Sequence, residues 1–121
     1  MARHNELGRL GEDLACEKLV REGYAIVARN WRMNHYEVDI IAMKGDRIVF
    51  AEVKTRCDGE DPLAAIDCKK MMRMARAANV YIESTGTRLE AQFDVFGISG
   101  SRDNYKLEHI ADAFLPPLNS L

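Results

Sequence analysis

Two strand-forming runs, residues 37–43 and 47–55, flank Lys44-Gly45-Asp46-Arg47, and no other feature constrains the fold of this chain as much. Both runs are rich in Val, Ile and other residues that fit a pleated, half-buried surface. Gly45 at the first central position suits a type II′ turn, whose twist matches that of the strands it joins. With Gly45-Asp46 as the loop, Lys44 faces Arg47; counting outward, Asp39 faces Glu52 and Glu37 faces Lys54. The period of two then places Glu37 with Asp39, and Glu52 with Lys54, on one side of the sheet. Four charged side chains converge among Ile, Val, Phe and Ala.

Helical patterns surround the hairpin. In residues 5–22, Leu7, Leu10, Leu14, Ala15 and Leu19 share one face at about 100° per residue. Gly23-Tyr24 forms the exit, and Gly8 and Gly11 are expected to admit a close neighbour. Glu12 lies at the margin of the apolar face, placed to lean toward a site. A strand is expected over 24–32, a second helix over 62–83 with Pro62 in its first turn, and further strands over 90–98 and 105–110. The tail 115–121 reads as extended or frayed. The order helix, three strands, helix, two strands describes one α/β domain.

Composition narrows the function. At 121 residues the chain is one domain by length, and 47% hydrophobic with 30% charged residues is an ordinary globular balance. No apolar run approaches the roughly 20 residues of a membrane span, and residues 1–6 lack a secretory core, so a cytoplasmic location is expected. Cys16, Cys57 and Cys68 form no CxxC pair, and His4, His35 and His109 are scattered. Neither a disulfide framework nor a structural zinc site is expected. The net charge of -2 argues against a general nucleic-acid coating protein. Any nucleic-acid role must run through a local patch.

Carboxylates opposed across strands repel each other. A divalent cation between Asp39 and Glu52 removes the conflict. Mg²⁺ takes oxygen ligands from one or two carboxylates and keeps positions for water and substrate phosphate. Lys54 beside the pair suits polarising a water or stabilising charge on a phosphorane. A plainer reading also fits: an exposed hairpin whose Glu37–Lys54 and Glu52–Lys54 pairs are solvated and contribute little.

Asp39 followed by Glu52-Val53-Lys54 resembles the PD-(D/E)XK signature of restriction-like nucleases and archaeal Holliday-junction resolvases. Closer still is the resemblance to the uncharacterised bacterial YraN-like family. It is carried in order by Gly8-Arg9-Leu10-Gly11-Glu12, Gly23-Tyr24, Asn30-Trp31-Arg32, Glu37-Val38-Asp39-Ile40-Ile41-Ala42, Val49-Phe50-Ala51-Glu52-Val53-Lys54-Thr55-Arg56 and Phe93-Asp94-Val95. The resemblance implies a restriction-endonuclease-like fold over residues 1–121, a mixed central sheet flanked by helices. It implies a metal-dependent endonuclease or exonuclease hydrolysing phosphodiester bonds in DNA, with branched and single-stranded forms among its substrates. Asp39 and Glu52 would hold Mg²⁺ or Mn²⁺, with the Val53 carbonyl a further ligand. Lys54 would be the catalytic lysine and Glu12 the helix carboxylate that completes such sites. Glu37 matches the family's first acidic position. A homodimer is in keeping with the resolvase likeness. The alternative is a DNA-binding or complex-building module that keeps the fold with little catalysis.

Two positions depart from the family pattern. Tyr36 stands where Gly is usual, beside His35 at the entrance to the motif, where it stacks a base or crowds a substrate. Gln92 replaces the usual Arg before Phe93-Asp94-Val95. On the second helix Lys69, Arg73 and Arg76 form a basic stripe with Lys70 beside it, opposite Met71, Ala75, Ala78 and Ile82. The stripe reads either as a solvated face or as a phosphate-contacting surface. Met71, Met72 and Met74 read as core filler and boundary residues, Trp31 as a strand anchor, and Asp94 as a structural hydrogen-bond partner.

Overall fold

In the computed structural model the chain runs α1 (Ala2–Arg21), β1 (Ala25–Met33), β2 (Tyr36–Lys44), β3 (Arg47–Thr55), a 3-10 turn (Pro62–Ala65), α2 (Cys68–Thr85), β4 (Glu90–Ser101) and β5 (Asn104–Ile110). The structure describes residues 2–56, 59–101 and 103–115, without the side chains of residues 2–6 and 65. His4, Cys57, Arg102 and the tail beyond Leu115 lie outside that description.

The strands form one sheet in the order β1-β2-β3-β4-β5. Neighbours are antiparallel except β3 and β4, which run parallel through the α2 crossover. A parallel pair needs such a crossover, and a helix supplies it. This is the expected α/β class, a mixed sheet flanked by helices. Ala15, Cys16 and Leu19 of α1 pack on one face with Ile40, Ala42, Val49, Ala51 and Phe96. Met74, Ala75, Ala77, Ala78 and Tyr81 of α2 pack on the other with Val38, Ile41, Ile48, Phe50 and Phe93. Among the described residues no helix is long and apolar enough to cross a membrane.

Three expectations shift. On α1 the buried stripe is Gly11, Ala15, Cys16 and Leu19, while Leu7, Leu10 and Leu14 flank it half-buried. Gly11 permits the close approach: a Cβ there would come 2.8 Å from Ile98 and 3.1 Å from Val53. Gly8 faces open space and has no such role. The second helix begins at Cys68 and not at Pro62, because the sequence offers two caps. Asp61 accepts from the Leu63 N–H at 3.0 Å, and Asp67 accepts from the Lys70 N–H at 2.9 Å. Each satisfies a backbone donor at a helix start.

The hairpin turns as expected. Gly45 takes φ 59° and no positive φ follows at Asp46, the pattern of a type II′ turn. The register runs from Lys44↔Arg47 to Ile40↔Ala51, and there the ladder stops. Beyond it β2 continues along β1 to the Met33↔Tyr36 pair, and β3 continues along β4 to Thr55↔Ile98. The two strands fork. The expected Asp39/Glu52 and Glu37/Lys54 ladder pairs are therefore replaced: Glu37 instead meets Arg32 at 3.0 Å. Val38 and Ile41 pack on the α2 side, but Ile40 and Ala42 pack on the α1 side. The alternation thus slips by one residue at Asp39–Ile40, as at a bulge. Across from the slip, Asn30 of β1 takes φ 52°.

Candidate functional site

The fork leaves backbone groups of β3 without a ladder partner on the β2 side, and Asp39 occupies the gap. Its Oδ2 accepts the Val53 N–H at 2.8 Å. The N–H and C=O of one strand residue leave by the same edge, so the Val53 carbonyl also turns into the fork. Glu52, 7% exposed, points to the α2 side, where its Oε1 meets Lys70 Nζ at 2.9 Å and Lys54 Nζ at 3.2 Å.

Burial, then the Glu52 charge, push the Asp39 carboxyl up to about 7; the Val53 N–H opposes them, Glu12 adds to the rise, and Lys54 opposes it. Burial works against the Lys70 charge, but Glu52 and Asp39 more than offset it and hold that ammonium above its usual range. The fork is thus crowded with negative charge at Asp39 and answered by lysines at Glu52.

Glu12 stands apart. It accepts from Asn30 Nδ2 at 3.0 Å and lies 3.5 Å from the Arg29 guanidinium, close enough to act on Asp39 only through its charge. Among the described residues no three His, Cys, Asp or Glu side chains gather in a metal-holding group.

Beside Glu52 a recess of about 80 Å³ opens between α2 and the β1–β2 turn, lined by His35, Tyr36, Glu37, Lys70, Arg73 and Met74. The basic stripe of α2 is thereby divided. Lys70 and Arg73 face the recess, whereas Lys69 and Arg76 are exposed on the helix. Lys70 as partner of Glu52 escaped the sequence reading, yet a signal existed. Lys70, Met74, Ala77, Ala78 and Tyr81 follow the helical period, and counting back from the buried members places Lys70 inward. In the sequence Asn30 stands out only as part of a matching stretch. Its left-handed backbone, which Asn tolerates better than most residues, is the reason for its residue type.

Other singled-out residues fall outside the fork. Trp31 meets Tyr81 edge-on at 5.4 Å and anchors β1 to the core. Asp94, 1% exposed, accepts from Gln92 Nε2 at 2.9 Å and the Asp112 N–H at 2.9 Å, and pairs with His109 Nε2 at 2.7 Å. It is a structural partner, as read. His109 Nδ1 lies 2.7 Å from Lys18 Nζ, so the tautomer with its proton on Nε2 satisfies both neighbours. Gln92 accepts from Arg47 at 3.1 Å while donating to Asp94, which ties the departure from Arg into the same network. Arg56, with a side chain 2% exposed, crosses β4 above Gly97 and reaches Glu108 on β5 at 2.7 Å. A Cβ on Gly97 would come 2.6 Å from Arg56 Nε.

Fold and fork together define a mixed α/β protein with a carboxylate–lysine site at the parting of two strands. The chain belongs to the Uncharacterised protein family UPF0102, which matches residues 11–98 and is the YraN-like family expected from the motifs. It is 42% identical to a UPF0102 protein of Bacteroides thetaiotaomicron over 120 residues, 98% of this chain and 99% of that one. UPF0102 protein FP2501 of Flavobacterium psychrophilum is 40% identical over 116 residues, 94% of this chain and 98% of the relative. A solved structure, "The structure of Pyrococcus Furiosus SfsA in complex with Ca2+", aligns at TM-score 0.42 and 13% identity, over 89% of this chain and 63% of that one. A likeness of that size bears on neither mechanism nor ligand.

Proposed function

We propose that the fork is the active site of a metal-dependent nuclease that hydrolyses phosphodiester bonds in DNA. The observation that carries this reading is Asp39, a half-buried carboxylate that fills the fork on the Val53 N–H and lies in the field of the Glu52 charge. The donor chemistry fits Mg²⁺ or Mn²⁺: Asp39 and the Val53 carbonyl are hard oxygen donors in the fork, and the Glu52 carboxylate on the adjoining α2 side would turn from its lysines to join them. Bound there, the cation would supply Lewis acidity and a water of lowered pKa.

The chain's own residues do the rest. Lys54 and Lys70 bring two ammoniums to one carboxylate, within reach of the charge that builds on a phosphate in the transition state. Lys69, Arg73 and Arg76 lie along the helix that leads to the fork and give the phosphate backbone its path. Glu12, held by Arg29 and Asn30, sets the negative field on the far side of Asp39.

A second reading, a DNA-binding or complex-building module with little catalysis, has its own support. Glu52 already carries two lysine partners, a balance that needs no cation. A cleavage screen over single-stranded, duplex, flapped and four-way DNA with Mg²⁺ or Mn²⁺ separates the two. The nuclease reading expects cation-dependent cleavage that is lost in folded Lys54→Ala and Asp39→Ala variants. An inert wild-type chain over the whole screen would replace it with the module.

A further inference from the structure

We infer that the rim of the recess beside Glu52 takes an unpaired nucleobase, stacked on the Tyr36 and His35 rings, with the adjoining phosphate against Lys70 and Arg73. The inference rests on the nuclease reading and adds a substrate class to it: strands whose bases are free of a duplex.

The lining carries the recognition chemistry. His35 and Tyr36 lie 4.3 Å apart between centroids, tilted by 33°, at the mouth of the recess. Tyr36 is half-buried and packs against the α2-side core, so its ring is a fixed platform. His35 is exposed on the turn and can extend or yield to an incoming ring. Every base has a π-face, and stacking on aromatic side chains is how proteins hold single strands without reading their sequence.

Size and charge point the same way. At about 80 Å³ the recess is too small to enclose a base, so the ring lies over its His35–Tyr36 rim and is not inserted in it. Paired bases are stacked inside the helix and offer no free face, so a ring reaches this site only from an unpaired or extruded position. The carboxylates of the lining are already matched. Glu37 meets Arg32 at 3.0 Å, and Glu52 meets Lys54 and Lys70. Phosphate approaching the rim therefore meets Lys70 and Arg73 before any uncompensated negative charge. Because Lys70 touches Glu52, a nucleotide held here lies next to the fork.

The test uses the intact chain in EDTA, with oligothymidylate carrying one 2-aminopurine and a duplex of equal length. Wild type should quench the 2-aminopurine on binding the single strand. Tyr36→Ala should weaken single-strand binding by about tenfold, in line with the cost of losing one stacking platform, and leave duplex binding unchanged. His35→Ala, on an exposed turn where the fold is not at risk, should reduce the quench in the same direction. Unchanged quench and affinity in both variants would overturn the base site even if the cation-dependent cleavage screen succeeds. A wild-type quench lost in the variants, in a chain that cleaves nothing, would uphold the base site and sink the nuclease reading.

Discussion

Asp94 and Asp39 are acids on interior strands with opposite surroundings. Asp94 has three partners on its two oxygens, from Gln92, His109 and the Asp112 backbone. Among the described residues Asp39 has one donor, the Val53 N–H, with the Glu52 and Glu12 charges bearing on it. A buried carboxylate surrounded by donors is already satisfied, and removing it leaves those donors stranded. One surrounded by other carboxylates is strained until a proton or a cation arrives. Counting donors thus separates a carboxylate that holds the structure from one that awaits a partner, where residue type alone does not.

The contrast breaks or holds first on stability. Asp94→Ala should cost about 3 kcal/mol in urea unfolding, because His109, Gln92 and the Asp112 N–H lose a shared buried acceptor. Asp39→Asn should be neutral or stabilising at pH 8. Equal losses in the two variants would erase the distinction.

The second consequence is pH dependence. The Asp39 carboxyl titrates near 3.8 when unfolded and at about 7 when folded. Between those values the folded chain binds more protons than the unfolded one, so stability falls as pH rises. Its contribution is fully present below the unfolded value and lost as pH passes through about 7, a change on the order of a few kcal/mol. Urea titrations across that window should show the decline in wild type and a flatter profile in Asp39→Asn.

A cation should reverse the same strain. At pH 8, Mn²⁺ at about ten times its dissociation constant should stabilise wild type by about 1.4 kcal/mol, read as a raised Tm, and leave Asp39→Asn unmoved. Equal shifts in both would place the cation elsewhere.

The smallest effect concerns the outer helix. Arg76→Ala should weaken binding to all DNA sequences alike and lower the salt slope of log K on duplex by about 0.9. Arg88, exposed beyond the end of α2 and away from the fork, serves as the control, and Arg88→Ala should change neither. A slope untouched by Arg76→Ala would make the stripe a solvated helix face.

Much of this arrangement could be read from residues. The Gly45 turn set the register correctly as far as Ile40 and Ala51, and β3 has the bounds its pattern predicts. The fork could not be read, because counting by twos assumes that alternation continues and Asp39 is where it slips. Asp39 reaches β3 at the Val53 N–H, and Glu52 bears on it through its charge and not as a ladder partner. Likewise, the inward role of Lys70 was hidden by reading its charge as a sign of exposure. Long side chains can bury their stem and still place the charge against a partner.

The Arg56 bridge has a consequence for how the fork is held. By lying over Gly97 and gripping Glu108, it fastens the end of β3, and with it Lys54, to β4 and β5. Among the described residues no ladder pair ties β2 to β3 beyond Ile40; the Asp39–Val53 hydrogen bond spans that gap. The β2 side of the fork is held instead by its packing on α2, through Val38 and Tyr36. The two walls are thus braced on different elements, the lysine wall by its sheet neighbours and the Asp39–Tyr36 wall by the helix beneath it.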